Sequence, residues 1–193
     1  MKSLFPKAHL GLENLFAKKF KHHTFHIDCR KLIDCDSYIR STRHSGEAAK
    51  LFRCLDKIKT PIIYWFEVED EKEAKRQLKL AESYRTKQKR AKKDKRRVMP
   101  LPNGKINSKS NVLYVGKRQG GISKKEGFTH AADRMEMHLG YNPKGANQGM
   151  QLVHWCDCNV TVNILELPKD AGPYLTTLEQ LFAIEKAPYL GRH

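Results

Sequence analysis

Apolar runs, acidic residues and paired cysteines are all scarce in this chain of 193 residues. No apolar run approaches the ~20 residues that cross a bilayer, which excludes a helical membrane span. The opening stretch MKSLFPKAHLGLENLF holds no continuous apolar segment followed by a small-residue cleavage site, so no signal peptide is expected. Five cysteines, an odd number without a repeating framework, do not make a disulfide scaffold. They fit free thiols in a reducing compartment, and the cytoplasm is the expected location. Neither His22, His23, His26, Cys29 and Cys35 nor His154, Cys156 and Cys158 show the paired spacing of a zinc module, so no structural zinc is expected. Asp and Glu number 21 against 37 Lys and Arg, leaving a net charge of +16. An excess that large and that clustered calls for an anionic partner, nucleic acid before an acidic membrane surface.

What is present organises into segments. The length suits one catalytic-size domain with a smaller element. Residues 1–58 read as a helical or irregular N-terminal segment. Its best helix follows Ser45 as N-cap, with Glu47 in the first turn. Ala48, Leu51, Phe52, Leu55 and Ile58 recur at the spacing of one helical face. After Pro61 the β-branched and aromatic run from Ile62 to Val68 predicts a strand buried on both faces. Residues 71–84 predict an exposed helix. Residues 85–97 hold nine cations and one acid. A second strand is expected over residues 111–116, a helix from about Phe128 to Leu139 stopped by Gly140, and a short strand over residues 150–155. Alternation predicts a strand over residues 160–167, and Thr176 or Thr177 is placed to cap a last helix reaching Lys186.

Within these elements stand residues with chemistry to offer. Tyr64 lies inside the first strand, and Tyr114 lies in a strand that ends Val115-Gly116-Lys117. Arg134 and His138 are one helical turn apart and share a face, beside the stripe Ala131, Met135 and Leu139. Glu179 falls among Leu175, Leu178 and Phe182, where a carboxylate is costly unless a cation or donors meet it; a divalent metal is one such cation. Taken singly, each of these residues has an ordinary role: a strand tyrosine packs, a helical Arg or His is solvated, and a first-turn acid serves the helix dipole. Their joint order is what points to a site.

That order resembles the GIY-YIG nucleases. Tyr64 within Ile62-Ile63-Tyr64 is similar to the first half of the signature, and Leu113-Tyr114-Val115-Gly116-Lys117 is similar to the second. Arg134 matches the family's helical arginine, and His138 matches a histidine that some restriction-enzyme members carry one turn later. Leu178-Glu179 stands nine residues before Pro188, as the family's metal-binding glutamate stands before a proline. The resemblance covers about residues 60 to 193. The halves are 50 residues apart, which requires an insertion, and Gly191 stands where the family often has Asn.

The resemblance implies an α/β (α+β) domain over residues 59–193, with a small, mainly antiparallel three-stranded sheet flanked by helices. The N-terminal helical segment and a basic helical insertion at about residues 69–110 would decorate it. It implies a metal-dependent DNA endonuclease, restriction-type within the family. Glu179 would hold one Mg²⁺ or Mn²⁺, and Arg134 would stabilise the extra charge of the transition state. Tyr64 or Tyr114 would orient or deprotonate water, with Lys117 as the neighbouring cation, and His138 would relay a proton or bind phosphate. Double-stranded DNA is the expected partner, contacted by Arg85, Lys87, Lys89, Arg90, Lys92, Lys93, Lys95, Arg96 and Arg97. A palindromic target would favour a homodimer; no obligate protein partner and no membrane are expected. A nucleic-acid-binding protein that keeps the fold without catalysis is the alternative, and a basic RNA-associated scaffold is a third reading.

Overall fold

The run after Pro61 becomes one of the two inner strands of a four-stranded antiparallel sheet. The computed structural model describes residues 19–39, 43–90, 98–100, 102, 109–123, 127–141 and 148–191. The strands are β1 (Lys21–Asp28), β2 (Ile62–Glu67), β3 (Val112–Arg118) and β4 (Asn159–Glu166), in the order β1-β4-β2-β3. β2 pairs with β3 on one side and with β4 on the other. Its side chains alternate between two cores, because successive residues of a strand face opposite ways. Ile62, Tyr64 and Phe66 enter the larger core, while Ile63 and Trp65 enter the smaller one.

Helices close both faces. α1 (Ala49–Leu55), α2 (Glu71–Arg90) and α3 (His130–Leu139) contribute to the larger core through Leu51, Phe52, Ala74, Ala81 and Met135. α4 (Leu175–Lys186) covers the smaller one with Leu175 and Leu178. α3 ends at Leu139 as expected but starts at His130, after the Thr129 cap, rather than at about Phe128. The Thr129 hydroxyl accepts from Ala132 N–H at 3.2 Å and donates to Leu55 O at 2.7 Å, and Gly140 ends the helix at φ 104°. Past α4, Tyr189 and Leu190 donate their N–H groups to Val112 and Leu113 at 3.0 and 2.9 Å, covering the outer edge of β3.

Several expectations are corrected. The sheet has four strands rather than three, because residues 21–28 form β1 where a helical or irregular segment was expected. β1 offers only Phe25 and Ile27 to the larger core. Its other face is polar, with His22 and Thr24 against Asn163 and His26 against Thr161. Ser45 does not cap α1, which starts at Ala49 without a side-chain cap, and Glu47 instead accepts from Asp28 N–H at 2.8 Å. Residues 150–155 are not a strand. Gln151 turns left-handed at φ 59°, and Leu152–His154 form a 3-10 turn that buries Leu152 beside Met150 and Trp155. α4 needs neither Thr176 nor Thr177 as a cap, because the 3-10 turn Lys169–Tyr174 runs directly into it. α2 continues past Tyr84 to Arg90, so the first part of the cation run is helical. The start of the N-terminal segment and most of the second half of that run lie outside the described residues.

Candidate active site

Four of the six candidate residues form one hydrogen-bonded group in the larger core. Tyr64 and Gly116 are partners across the β2–β3 ladder. Tyr114, two residues before Gly116 in β3, stacks on Tyr64 with ring centroids 6.3 Å apart. α3 lays Arg134 across both phenols: its Nε donates to the Tyr64 hydroxyl at 2.9 Å and its NH2 to the Tyr114 hydroxyl at 3.2 Å. The remaining guanidinium arm donates to Gln148 O at 2.6 Å. One turn along α3, His138 is fully buried among Tyr64, Phe66 and Tyr114, with Nε2 2.9 Å from the Tyr64 hydroxyl.

The hydrogen-bond roles follow from elementary accounting. Burial, with Arg134 adding repulsion, holds His138 well below its ordinary pKa, so the ring is neutral near pH 7. Met150 N–H faces Nδ1 at 3.4 Å, which makes Nδ1 the acceptor and leaves the proton on Nε2. Nε2–H therefore donates to Tyr64, as Arg134 Nε–H does. Both acceptor positions of the phenol oxygen are filled, and its own hydrogen is left for a third group. Burial raises the Tyr64 hydroxyl above its usual range, while Arg134 pulls it down.

Gly116 makes the close approach possible. A Cβ there would lie 2.5 Å from the Tyr64 hydroxyl and 2.7 Å from the Tyr114 ring. The glycine of the second half-motif is thus a steric requirement of two phenols meeting over one strand.

Lys117 and Glu179 stand on the other face. Lys117 pairs in register with Ile63, whose side chain belongs to the core under α4. Its Nζ lies 2.6 Å from Glu179 Oε2, with side chains 29% and 17% exposed. Lys117 was expected to be the cation beside the tyrosines; Arg134 has that position, and Lys117 neutralises the acid instead. The two groups are neighbours around β3, and the Glu179 charge is close enough to raise the Tyr64 hydroxyl. Glu179 is neither sealed in the interior nor an ordinary exposed first-turn acid.

A single half-buried carboxylate that reaches solvent suits a hard ion that keeps most of its waters, provided the Lys117 ammonium yields one oxygen. Among the described residues, the tight cluster of potential metal ligands is Asp34, Cys35 and Asp36 in a loop, not Glu179.

Of the cations expected to bind nucleic acid, Lys87, Lys89 and Arg90 are exposed on the last turn of α2. Arg85 is half-buried and donates to Met99 O at 3.3 Å, so it anchors the following chain. Lys92, Lys93, Lys95, Arg96 and Arg97 lie outside the described residues. Both flanks of the cation run are pinned near the site. Gln88 donates to Gln151 at 2.7 Å, and Gln148 donates to Val98 O at 2.8 Å while its own carbonyl holds Arg134. The sequence carried no signal for Gln148 and Gln151, which act through backbone and amide groups in an irregular segment. Comparison with protein-family models, with curated proteins and with solved structures finds no match. Among the described residues, no helix is long and apolar enough to cross a membrane.

Proposed function

We propose that this chain is a divalent-metal-dependent DNA endonuclease of the GIY-YIG type, restriction-type in its subclass and cytoplasmic in setting. The observation that carries the reading is Arg134 donating to both Tyr64 and Tyr114 while His138 donates to Tyr64 from behind. One half-buried guanidinium tying two buried phenols together is a costly arrangement to assemble for packing alone. It supports a site in which proton transfer and anion stabilisation happen at the same place.

In this reading Tyr64 orients the attacking water and takes its proton once its own hydrogen is released, the Arg134 and His138 donors on its oxygen opposing the burial that raises its hydroxyl. Arg134 stabilises the charge that develops on the phosphate. Tyr114 keeps the guanidinium in plane with the first phenol. Glu179 holds Mg²⁺ or Mn²⁺, which when bound supplies charge neutralisation at the scissile phosphate and leaving oxygen. Lys117 is the counter-charge of Glu179 until then. The exposed end of α2, tethered through Gln88 and Gln148 to the segment holding Arg134, supports a backbone track leading into the site.

The test is cleavage of a mixed genomic substrate with Mg²⁺ or Mn²⁺, alongside binding to the same DNA. Glu179→Ala is expected to abolish cutting and leave binding within a few-fold. Binding by wild type with no cutting under either metal would instead support the non-catalytic alternative, in which the fold is kept for recognition.

A further inference from the structure

One irregular segment, residues 148–151, holds both helical members of the candidate site through its backbone. Gln148 O accepts from the Arg134 guanidinium at 2.6 Å, and Met150 N–H faces His138 Nδ1 at 3.4 Å. Between them lies Gly149, where a Cβ would collide with Met137 O on α3. The segment is therefore pressed against the backbone of α3, an approach that only glycine allows. Trp155 anchors it from below, its Nε1 donating to Met150 O at 2.6 Å.

α2 holds the other end of the segment. Tyr84 and Gln88 are one helical turn apart and share a face. Gln88 Oε1 accepts from Met99 N–H at 3.1 Å, so the amide nitrogen is the end that donates to Gln151 Oε1, at 2.7 Å. The Tyr84 hydroxyl donates to the same oxygen at 2.9 Å. Gln88 and Gln151 are both buried, at 6% and 7% exposure. Gln151 also takes up the left-handed backbone, φ 59° and ψ 47°, which a side chain other than glycine rarely adopts. Two buried amides and a strained turn are costly unless their hydrogen bonds fix a geometry that packing alone does not. Gln88 stands between Lys87 and Lys89, which are exposed on the last turn of α2.

We propose that Gln88 and Gln151 are positioning residues that couple docking of DNA on the last turn of α2 to the placement of Arg134 and His138. The role rests on the endonuclease reading for its ligand and its reaction, not for its geometry. Phosphates drawn to Lys87, Lys89 and Arg90 fix the turn that carries Gln88. Gln88 fixes Gln151, and with it the carbonyl that holds Arg134 and the N–H that faces His138. Arg134 has one arm on Gln148 O and the others on the two phenols, so a displaced carbonyl turns the guanidinium off the phenol oxygens. A misplacement of about 1 Å in such a group is enough to slow a reaction about 100-fold. His138 is fully buried, so DNA reaches it only through the protein, and its Nδ1 reports on Met150.

The experiment follows the His138 ring nitrogens by NMR in isotopically labelled full-length protein, with and without a saturating short mixed-sequence duplex DNA. Single-turnover cleavage of genomic DNA with Mg²⁺ or Mn²⁺ is measured beside it. In wild type the duplex is expected to shift the Nδ1 resonance. Gln151→Gly keeps the left-handed turn and removes the amide. It and Gln88→Ala should lose that shift and cut about 10- to 100-fold more slowly at unchanged DNA affinity. Gln151→Glu restores the shared acceptor and should recover both. If the glutamine variants fail to fold, Lys87→Ala combined with Lys89→Ala, on the exposed side of the same turn, takes their place and should lose the Nδ1 shift at saturating duplex. No Nδ1 shift in wild type, a shift that survives these variants, or a loss of affinity and rate together would overturn the proposal. A wild type that shows the coupled shift without cutting under either metal upholds the coupling and removes the endonuclease reading alone.

Discussion

Gly116 is the residue on which the candidate site tolerates least. Gly116→Ala forces a methyl group to within 2.5 Å of the Tyr64 hydroxyl, against two buried rings that Arg134 and His138 hold in place. Overpacking of this kind costs about 1–3 kcal/mol. Urea unfolding should therefore show a lowered midpoint with the slope unchanged, and an unaltered midpoint would refute the steric account. His138 gives a pH prediction. Its folded-state pKa is depressed by burial and then by Arg134, so below about pH 6.5 the unfolded chain binds a proton that the folded chain refuses. Stability is present above that pH and is lost on acidification. Glu73, lowered to about 2 mainly by its hydrogen bond with Arg76, acts in a lower window, below about pH 4.5. His138→Gln should flatten the stability profile between about pH 6.5 and 5, measured by denaturant midpoints; an unchanged slope would place the acid sensitivity elsewhere. Tyr64, Tyr114, Arg134 and His138 were legible one by one because each sits in an element whose period is plain in the sequence. Their hydrogen bonds were not, since which nitrogen meets which phenol depends on how α3 crosses the sheet. Lys117 shows the same limit. Being next to Gly116 in sequence sends its side chain to the opposite face.

At the scale of elements, β2 declared itself by a near-continuous apolar run, as a strand buried on both faces does, and β4 by the alternation of its apolar residues. β1 did not. An edge strand needs only one apolar face, and here that face is Phe25 and Ile27 among histidines and charges. The boundaries of α1 and α4 were misread for a related reason. A Ser or Thr near a helix start is a cap only if the backbone reaches it, and both helices begin without a side-chain cap. α2 makes its own prediction. Its exposed Lys87, Lys89 and Arg90 are argued to touch DNA phosphates. Replacing all three with Ala should weaken binding at every sequence and lower the slope of log affinity against log salt by about 2–3. Fluorescence anisotropy at several salt concentrations reads this directly. An unchanged slope would move the track off α2.

For the molecule as a whole, the sheet divides the site between two cores. One core presents the phenols, the guanidinium and the imidazole; the other presents the carboxylate and its lysine, and β3 with its bare Gly116 lies between them. The +16 charge adds the expectation that any nucleic-acid complex is strongly salt-dependent. The central claim is that this divided set performs general-base hydrolysis of DNA through Tyr64. Its most direct test is the single-turnover cleavage rate of Tyr64→Phe against wild type, at saturating genomic DNA and Mg²⁺, with DNA affinity measured in parallel. A fall of about 100-fold or more in rate at unchanged affinity is predicted; a Phe variant that cuts as fast as wild type would contradict it.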